Sequence, residues 1–225
     1  YGNSILGKEK NVIDLELRDI QIFHNKQYFP ENICISIVGN LPKDYLKILE
    51  NLELNYFKDN VVIKENNIKI NKQIREGREI KYIEEIEFSR ILMAWLLPSS
   101  RDHKSITAFE ILSSILSDGR NSILNRNLKE EEQLVESIYS SLYLGEFGSL
   151  FLIEANCLEE NVRKVEKKIY EALKIVLSSE ELNDKINVAV QIIKSNYIFN
   201  LETSSQIAYF LGSNLLWKRN YPHLT

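Results

Sequence analysis

The sequence predicts an α+β domain: an antiparallel sheet with helices packed on one face. Three observations lead there. Apolar runs of strand length stand at residues 33–38 and 91–97. Two apolar segments within residues 136–156 are joined by Gly145-Glu146-Phe147-Gly148, a turn short enough to require antiparallel pairing. From Leu158 to Leu215, apolar residues recur at helical spacing.

The elements follow in order. Residues 1–10 read as a loop, with Gly2 and Gly7. Asp14 is a candidate N-cap for a helix reaching Lys26, with Leu17, Ile20, Ile22 and Phe23 as its apolar positions. Residues 33–38 (ICISIV) are a β-branched run closed by Gly39, and so a strand. Pro42 suits a first helical turn, and Leu46, Leu49 and Leu52 continue it. Residues 1–58 thus end in a helix–strand–helix module. Residues 59–78 are rich in Asn and Lys and read as a linker, with an extended piece near Val61-Val62-Ile63.

Residues 79–97 form the next strand region. Ile86 and Phe88 alternate with Glu85 and Glu87, as in a half-exposed strand. Residues 91–97 are apolar throughout and so are expected to be covered on both faces. Asp102 caps a helix carrying Ile106, Phe109, Leu112, Ile115 and Leu116, and Gly119 stops it. A short amphipathic helix precedes the hairpin. Three helices then complete the chain. Their predicted starts are Asn156 with Glu159, Ser178 with Glu181, and Thr203 with Gln206.

Composition narrows the function classes. The chain has 225 residues, 44% hydrophobic and 27% charged, ordinary for a soluble globular protein. A net charge of −4 is too mild to predict a nucleic-acid or membrane partner, and basic residues are scattered. The longest apolar run, residues 91–97, falls far short of the roughly 20 residues of a membrane span. Cys34 and Cys157 are far apart and read as small buried apolar residues. No signal peptide is visible, and a cytoplasmic location is expected. The chain opens at Tyr1 and its single Met is Met93, so it reads as a piece of a longer protein.

No catalytic constellation is visible. His24, His103 and His223 are too widely spaced for H-x-x-E-H or H-E-x-x-H, and three zinc ligands cannot be assembled by spacing. There is no G-x-S-x-G. The run Glu130-Glu131-Glu132 reads as a solvated helix face.

Three stretches resemble the pitrilysin-like zinc metallopeptidases, the group of insulin-degrading enzyme and mitochondrial processing peptidase. YGNSILG at residues 1–7 resembles the family's "PYG…ILG" loop. YFPEN at residues 28–32, with the strand after it, resembles "Y.P.N…VVG". SDGRNSIL at residues 117–124, followed by residues 128–134, resembles the family's glycine turn and "LRE…L" helix. Together they cover nearly the whole chain in the family's order.

The resemblance implies a processing-peptidase-like metallopeptidase domain, one wall of a chamber that closes around unfolded peptide. Residues 1–58 would be the C-terminal tail of a preceding homologous domain, residues 59–78 a linker, and residues 79–225 most of a second domain without its own tail. The strand at residues 33–38 would then dock beside the sheet of residues 86–97, within the chain or swapped between copies. The family's zinc motif would lie outside this chain. No metal ligand is therefore carried over, and zinc is expected in the full-length protein or its partner. Active members also present an Arg and, seven residues later, a Tyr that help hold substrate and stabilise the oxyanion. The matching positions here are Lys129 and Glu136. Lys129 keeps the charge without the guanidinium fork, and Glu136 would repel a developing oxyanion. The expected partners are an unfolded peptide and a homologous subunit or second copy. Two alternatives stand beside the endopeptidase reading: a non-catalytic scaffold or peptide-binding homologue, and an unrelated α+β interaction module.

Overall fold

The computed structural model describes residues 4–29, 32–51, 77–178 and 181–216. In chain order the elements are α1 (Glu9–Ile13), α2 (Leu17–Gln27), α3 (Tyr45–Glu50), β1 (Ser89–Leu97), α4 (His103–Ser117), a π-helix (Asn125–Glu131), β2 (Ser137–Tyr143), β3 (Ser149–Cys157), a 3₁₀ turn (Glu159–Asn161), α5 (Val162–Ser178), α6 (Leu182–Phe199) and α7 (Ser204–Leu216). They divide into two units: Tyr1–Asn66 with Asn200–Thr225, and Asn67–Phe199.

The second unit holds the α+β fold. Its sheet has the order β1-β3-β2, antiparallel throughout. The expected hairpin is formed, with Ser137 opposite Asn156 and Tyr143 opposite Leu150. β1 pairs along the other side of β3, from Ser89 opposite Cys157 to Leu97 opposite Ser149. Side chains alternate across a pleated strand. Ser149, Phe151, Ile153, Ala155 and Cys157 therefore all face one side, and all are buried. Leu116, Leu124, Leu128, Val165 and Ile169 are buried with them in one core. Each large side chain removed from water there contributes about 1.5–3 kcal/mol. Phe151 lies between Trp95 and Phe109, 5.9 Å from each ring centre.

Local chemistry sets the helix ends. Asp102 caps α4, its carboxylate accepting from the Ser105 amide at 3.2 Å and the Ser105 hydroxyl at 2.8 Å. That contact holds the Asp102 carboxyl below its usual range. Gly119, at φ +79°, stops the helix as the sequence predicts. A serine seam joins α4 to β2. Ser113 and Ser117 hydroxyls lie 2.9 and 2.7 Å from the Ser140 hydroxyl.

Several expectations are corrected. Ile86 and Phe88 lie outside β1, after a turn in which Glu85 has φ +67°. Apolar alternation there lacks the ladder partner a strand requires. Residues 91–97 are not covered on both faces, because Leu92 remains 60% and Leu96 48% exposed. Asn156 caps no helix. It belongs to β3 and donates to the Ser137 hydroxyl at 2.9 Å. Ser178 ends α5 instead of starting α6.

The first unit is nearly coreless: Phe29 is its one buried apolar residue among those described. Asp14 closes α1 and does not cap α2. The α2 cap is Glu16, in a reciprocal capping box with Asp19. The α7 cap is as predicted. The Thr203 amide donates to Gln206 at 3.0 Å, and the Gln206 amide donates back to the Thr203 hydroxyl at 3.2 Å. The strand expected at residues 33–38 does not form. Burial still alternates with period two, from exposed Ile33 to half-buried Val38, but no backbone pairs with it among the described residues. Gly212 on α7 approaches this segment closely: a Cβ there would stand 3.2 Å from that of Ser36. The readings of residues 1–3 and 61–63 and of His223 lie outside the described residues.

Candidate functional site

The outward face of the sheet carries the candidate site. Three strands in fixed register place side chains in transverse rows. Arg90, Asn156 and Ser137 form the first, and Leu92, Glu154 and Tyr139 the second. Ala94, Leu152 and Ser141 form the third, and Leu96, Leu150 and Tyr143 the fourth. The face is therefore polar at one end and apolar at the other. Its residues are exposed on β1 and mostly half-buried on β3 and β2.

The polar end is internally ordered. The Tyr139 hydroxyl donates to Glu154 at 2.6 Å. That hydrogen bond, helped by desolvation, raises the phenol above its ordinary value, and the nearby Arg90 charge opposes the shift. Tyr139 is thus held as a neutral donor. Arg90 makes no ion pair among the described residues. Among the described residues of the larger unit β1 pairs on one side only, and the backbone donors and acceptors of its other edge meet no ladder partner there.

The two residues singled out from sequence flank the start of β2. Lys129 is exposed on the π-helix, and Glu136 is exposed just before the strand. The Glu136 amide donates to the Asn156 carbonyl at 2.8 Å, which fixes its backbone to the polar end of the sheet. Between the two, Gln133 turns the chain at φ +51°, and the Leu134 amide reaches back to the Leu128 carbonyl at 2.8 Å. π-Helices are rare and concentrate at functional sites.

The glutamates after Lys129 are not a free solvated face. Glu130 holds Arg120 at 2.6 Å, Glu131 holds Arg126 at 2.8 Å, and Glu132 holds Lys168 at 2.6 Å and Lys164 at 3.5 Å. Three neighbouring carboxylates at helical spacing point in different directions, so each found a different cation. The Lys168 contact holds the Glu132 carboxyl below its ordinary range, and the same contact raises Lys168.

Sequence reasoning missed the face itself. Glu154 and Asn156 in an otherwise apolar strand were the available signal. The unbroken apolar run of β1 concealed it.

Among the described residues no three His, Cys, Asp or Glu side chains stand close enough to hold a metal ion. His24 stacks on Tyr28, with ring centres 4.8 Å apart, and His103 lies exposed at the start of α4. These residues do not fit a zinc site, and no hydrolytic step is assigned to them. No helix among the described residues is long and apolar enough to cross a membrane.

Comparison with known proteins agrees with this architecture. The profile of the family described as the peptidase M16 inactive domain matches residues 14–187. The zinc protease PqqE of Helicobacter pylori is 25% identical over 223 residues, covering 94% of this chain and 48% of that protein. An uncharacterized zinc protease of Mycobacterium bovis is 22% identical, covering 96% of this chain and 49% of that protein. The chain thus spans about half the length of these relatives. Among solved structures, a protease from Helicobacter pylori superposes with a TM-score of 0.78 at 23% identity, over 95% of this chain and 52% of that one. A peptidase M16 inactive domain from Pseudomonas fluorescens gives 0.76 at 19% identity, over 97% of this chain and 52% of that one. The two solved structures share the fold, and the profile match, running from α2 into α6, makes this chain a member of the M16 peptidase family, of the kind described as its inactive domain.

Proposed function

We propose that the chain forms one wall of the peptide chamber of a pitrilysin-like zinc endopeptidase whose metal site lies outside it. The observation that carries this reading is the half-exposed outer sheet face, bordered by the unpaired edge of β1. An extended peptide satisfies such an edge by adding a strand, and alternate side chains then meet the flanking surface. Leu96, Leu150 and Tyr143 offer an apolar platform at one end of the face. Lys129 supplies a mobile cation for peptide carbonyls or carboxylates, and Glu136 keeps anions away. The zinc-activated water and its glutamate base would come from the remainder of the protein or from a homologous subunit.

The same proposal covers the first unit. Residues 1–58 serve as the C-terminal tail of a preceding homologous domain, residues 59–78 as a linker and residues 79–225 as most of a second domain, without its own tail. Exposed Ile20, Phe23, Ile33, Ile35 and Ile37 support this, because a unit with almost no core needs a partner surface. A sheet edge supplied by that domain, or by a second copy, would give residues 33–38 the ladder they lack. A second reading, a peptide-binding scaffold without catalysis, is favoured by Glu136 at the position where a phenol donor would be needed.

The test is binding of a fluorescent unfolded peptide to the chain, together with peptidase assays of the full-length protein with and without chelator. Leu96→Glu and Leu152→Glu are expected to weaken peptide binding at least about tenfold, or 1.4 kcal/mol. Unchanged binding in both variants rejects the chamber-wall role. Absence of chelator-sensitive cleavage, alone and with a homologous subunit, leaves the scaffold reading.

A further inference from the structure

The two edges of the three-stranded sheet are finished differently. At the centre of β2, the Ser140 amide donates to the Ser117 hydroxyl at 2.9 Å, and the Ser113 hydroxyl donates to the Ser140 carbonyl at 3.1 Å. Side chains of α4 thus occupy both backbone groups of that residue. An edge sealed in this way is closed to a further strand. Among the described residues β1 has no such seal, and its one ladder is with β3.

The side chains of β1 are also less covered than those beside them. On β3, the residues facing the core are closed off: Phe151, Ile153 and Ala155 are all buried. Their neighbours in the same rows on β1, Trp95, Met93 and Ile91, are only half-buried. The helix layer therefore stops short of this edge. Tyr170 of α5 marks the margin: it lies edge-on to Trp95, with ring centres 6.4 Å apart, and is itself exposed. On the outward face of the strand, Leu92 and Leu96 are exposed, with Ala94 between them. Over residues 91–96, β1 thus presents apolar side chains on both faces and carries no charge.

We infer that the edge of β1 selects peptide segments that are apolar on both faces over about six consecutive residues. Such a stretch is buried as a strand in a folded protein and is exposed only in an unfolded one. The inference rests on the chamber-wall reading and adds the class of segment accepted. A strand added at β1 sends alternate side chains to opposite faces. One set meets Leu92, Ala94 and Leu96. The other meets Ile91, Met93 and Trp95 at the open margin of the core. Directly opposed side chains stand about 4.5–5.5 Å apart, so each apolar residue of β1 meets one residue of the segment. A segment apolar at alternate positions only would satisfy one face and press polar groups against the other. Those groups would lose water without gaining a partner.

The experiment is fluorescence anisotropy and amide chemical-shift mapping of the 225-residue chain with three labelled peptide probes. The first has a central run of alternating valine and isoleucine, about six residues long, between lysine pairs. The second has glutamine at alternate positions of that run. The third has two consecutive prolines at its centre, so that a donor facing β1 is lost in either register. The first probe is expected to bind at least about tenfold tighter than each of the others, with larger shifts at residues 89–97 than at residues 137–143. Leu92→Glu, at an exposed position, is expected to weaken the first probe about tenfold, with the fold checked by unchanged shifts in β2. Equal binding of the first and second probes, still weakened by Leu96→Glu, would overturn the two-sided requirement while the chamber-wall role stands. Full affinity of the proline probe, or shifts centred on β2, would overturn strand addition at β1. Binding of no probe would overturn both readings. A dimer that the first probe converts to monomer would make a second copy the occupant of the edge and overturn the proposal.

Discussion

The Ser140 amide donates to the hydroxyl of Ser117 at 2.9 Å, so the last turn of α4 satisfies a backbone donor on the outer edge of β2. The same hydroxyl lies 2.7 Å from that of Ser140. Helix and edge strand are therefore held by hydrogen bonds as well as by apolar contact. Removing one partner of a buried pair leaves the other unsatisfied. Ser117→Ala is expected to lower unfolding stability by about 1–2 kcal/mol. Urea denaturation with an unchanged m-value checks it. A shift below about 0.3 kcal/mol would mean that water replaces the hydroxyl freely.

Ile153 is fully buried at the centre of β3. Ile153→Ala deletes methyl groups where surrounding elements cannot close the gap, and is expected to cost about 2–5 kcal/mol. Leu92→Ala, on the opposite side of the sheet, should cost under about 1 kcal/mol. Chemical denaturation of the two variants measures the contrast between the faces. Equal losses would contradict an open outer face.

Glu132 gives the fold a defined acid sensitivity. Its carboxyl is held below the ordinary glutamate value of 4.5, first by the Lys168 hydrogen bond. The folded state therefore prefers the charged form more than the unfolded chain does. That stabilisation is present above the unfolded value and disappears as pH falls through the folded one. The stability difference between wild type and Glu132→Gln should be constant near neutrality and shrink below about pH 4.5. Lys168 adds the mirror effect: its raised value supports the fold below the unfolded lysine range and fades as strongly alkaline pH passes the folded one. Denaturation curves from pH 3 to 11 test both. A difference that grows on acidification would reverse the assigned sign.

Gly119 and Gln133 both occupy the left-handed region, at φ +79° and +51°. A Cβ on Gly119 meets nothing within 4 Å, so the cost of Gly119→Ala is conformational alone, about 1–2 kcal/mol. Gln133→Gly should be neutral or stabilising by up to about 1 kcal/mol, since strain relief opposes added chain entropy. The thermal midpoint is expected to fall for Gly119→Ala and to hold or rise for Gln133→Gly. Parallel shifts would rule out backbone strain as the cause.

Much of the fold could be read from sequence because its signals are local. Asp102 and Gly119 bracket α4, Thr203 and Gln206 open α7, and the short turn of residues 145–148 dictates the hairpin. The failures share a different cause. Ile86, Phe88 and residues 33–38 have strand-like patterns, but a strand exists only where another backbone meets it. Residues 91–97 hid an open face because leucine serves equally in a core and on a binding surface. Arg90, Tyr139, Glu154 and Asn156 become neighbours only through the three-strand register.

The π-helix carries a consequence for direction. Its wide winding accommodates more residues per turn than ordinary helical geometry, as the Glu132 amide bonding to the Asn127 carbonyl shows. Each residue of common helical winding turns the chain by about 100°, so rewinding the seven residues of this stretch as an α-helix would rotate everything after it around the axis. Lys129 and the approach to β2 would then face new directions. The wide turn is thus the hinge point of the layout, setting the heading with which the chain enters the polar end of the sheet.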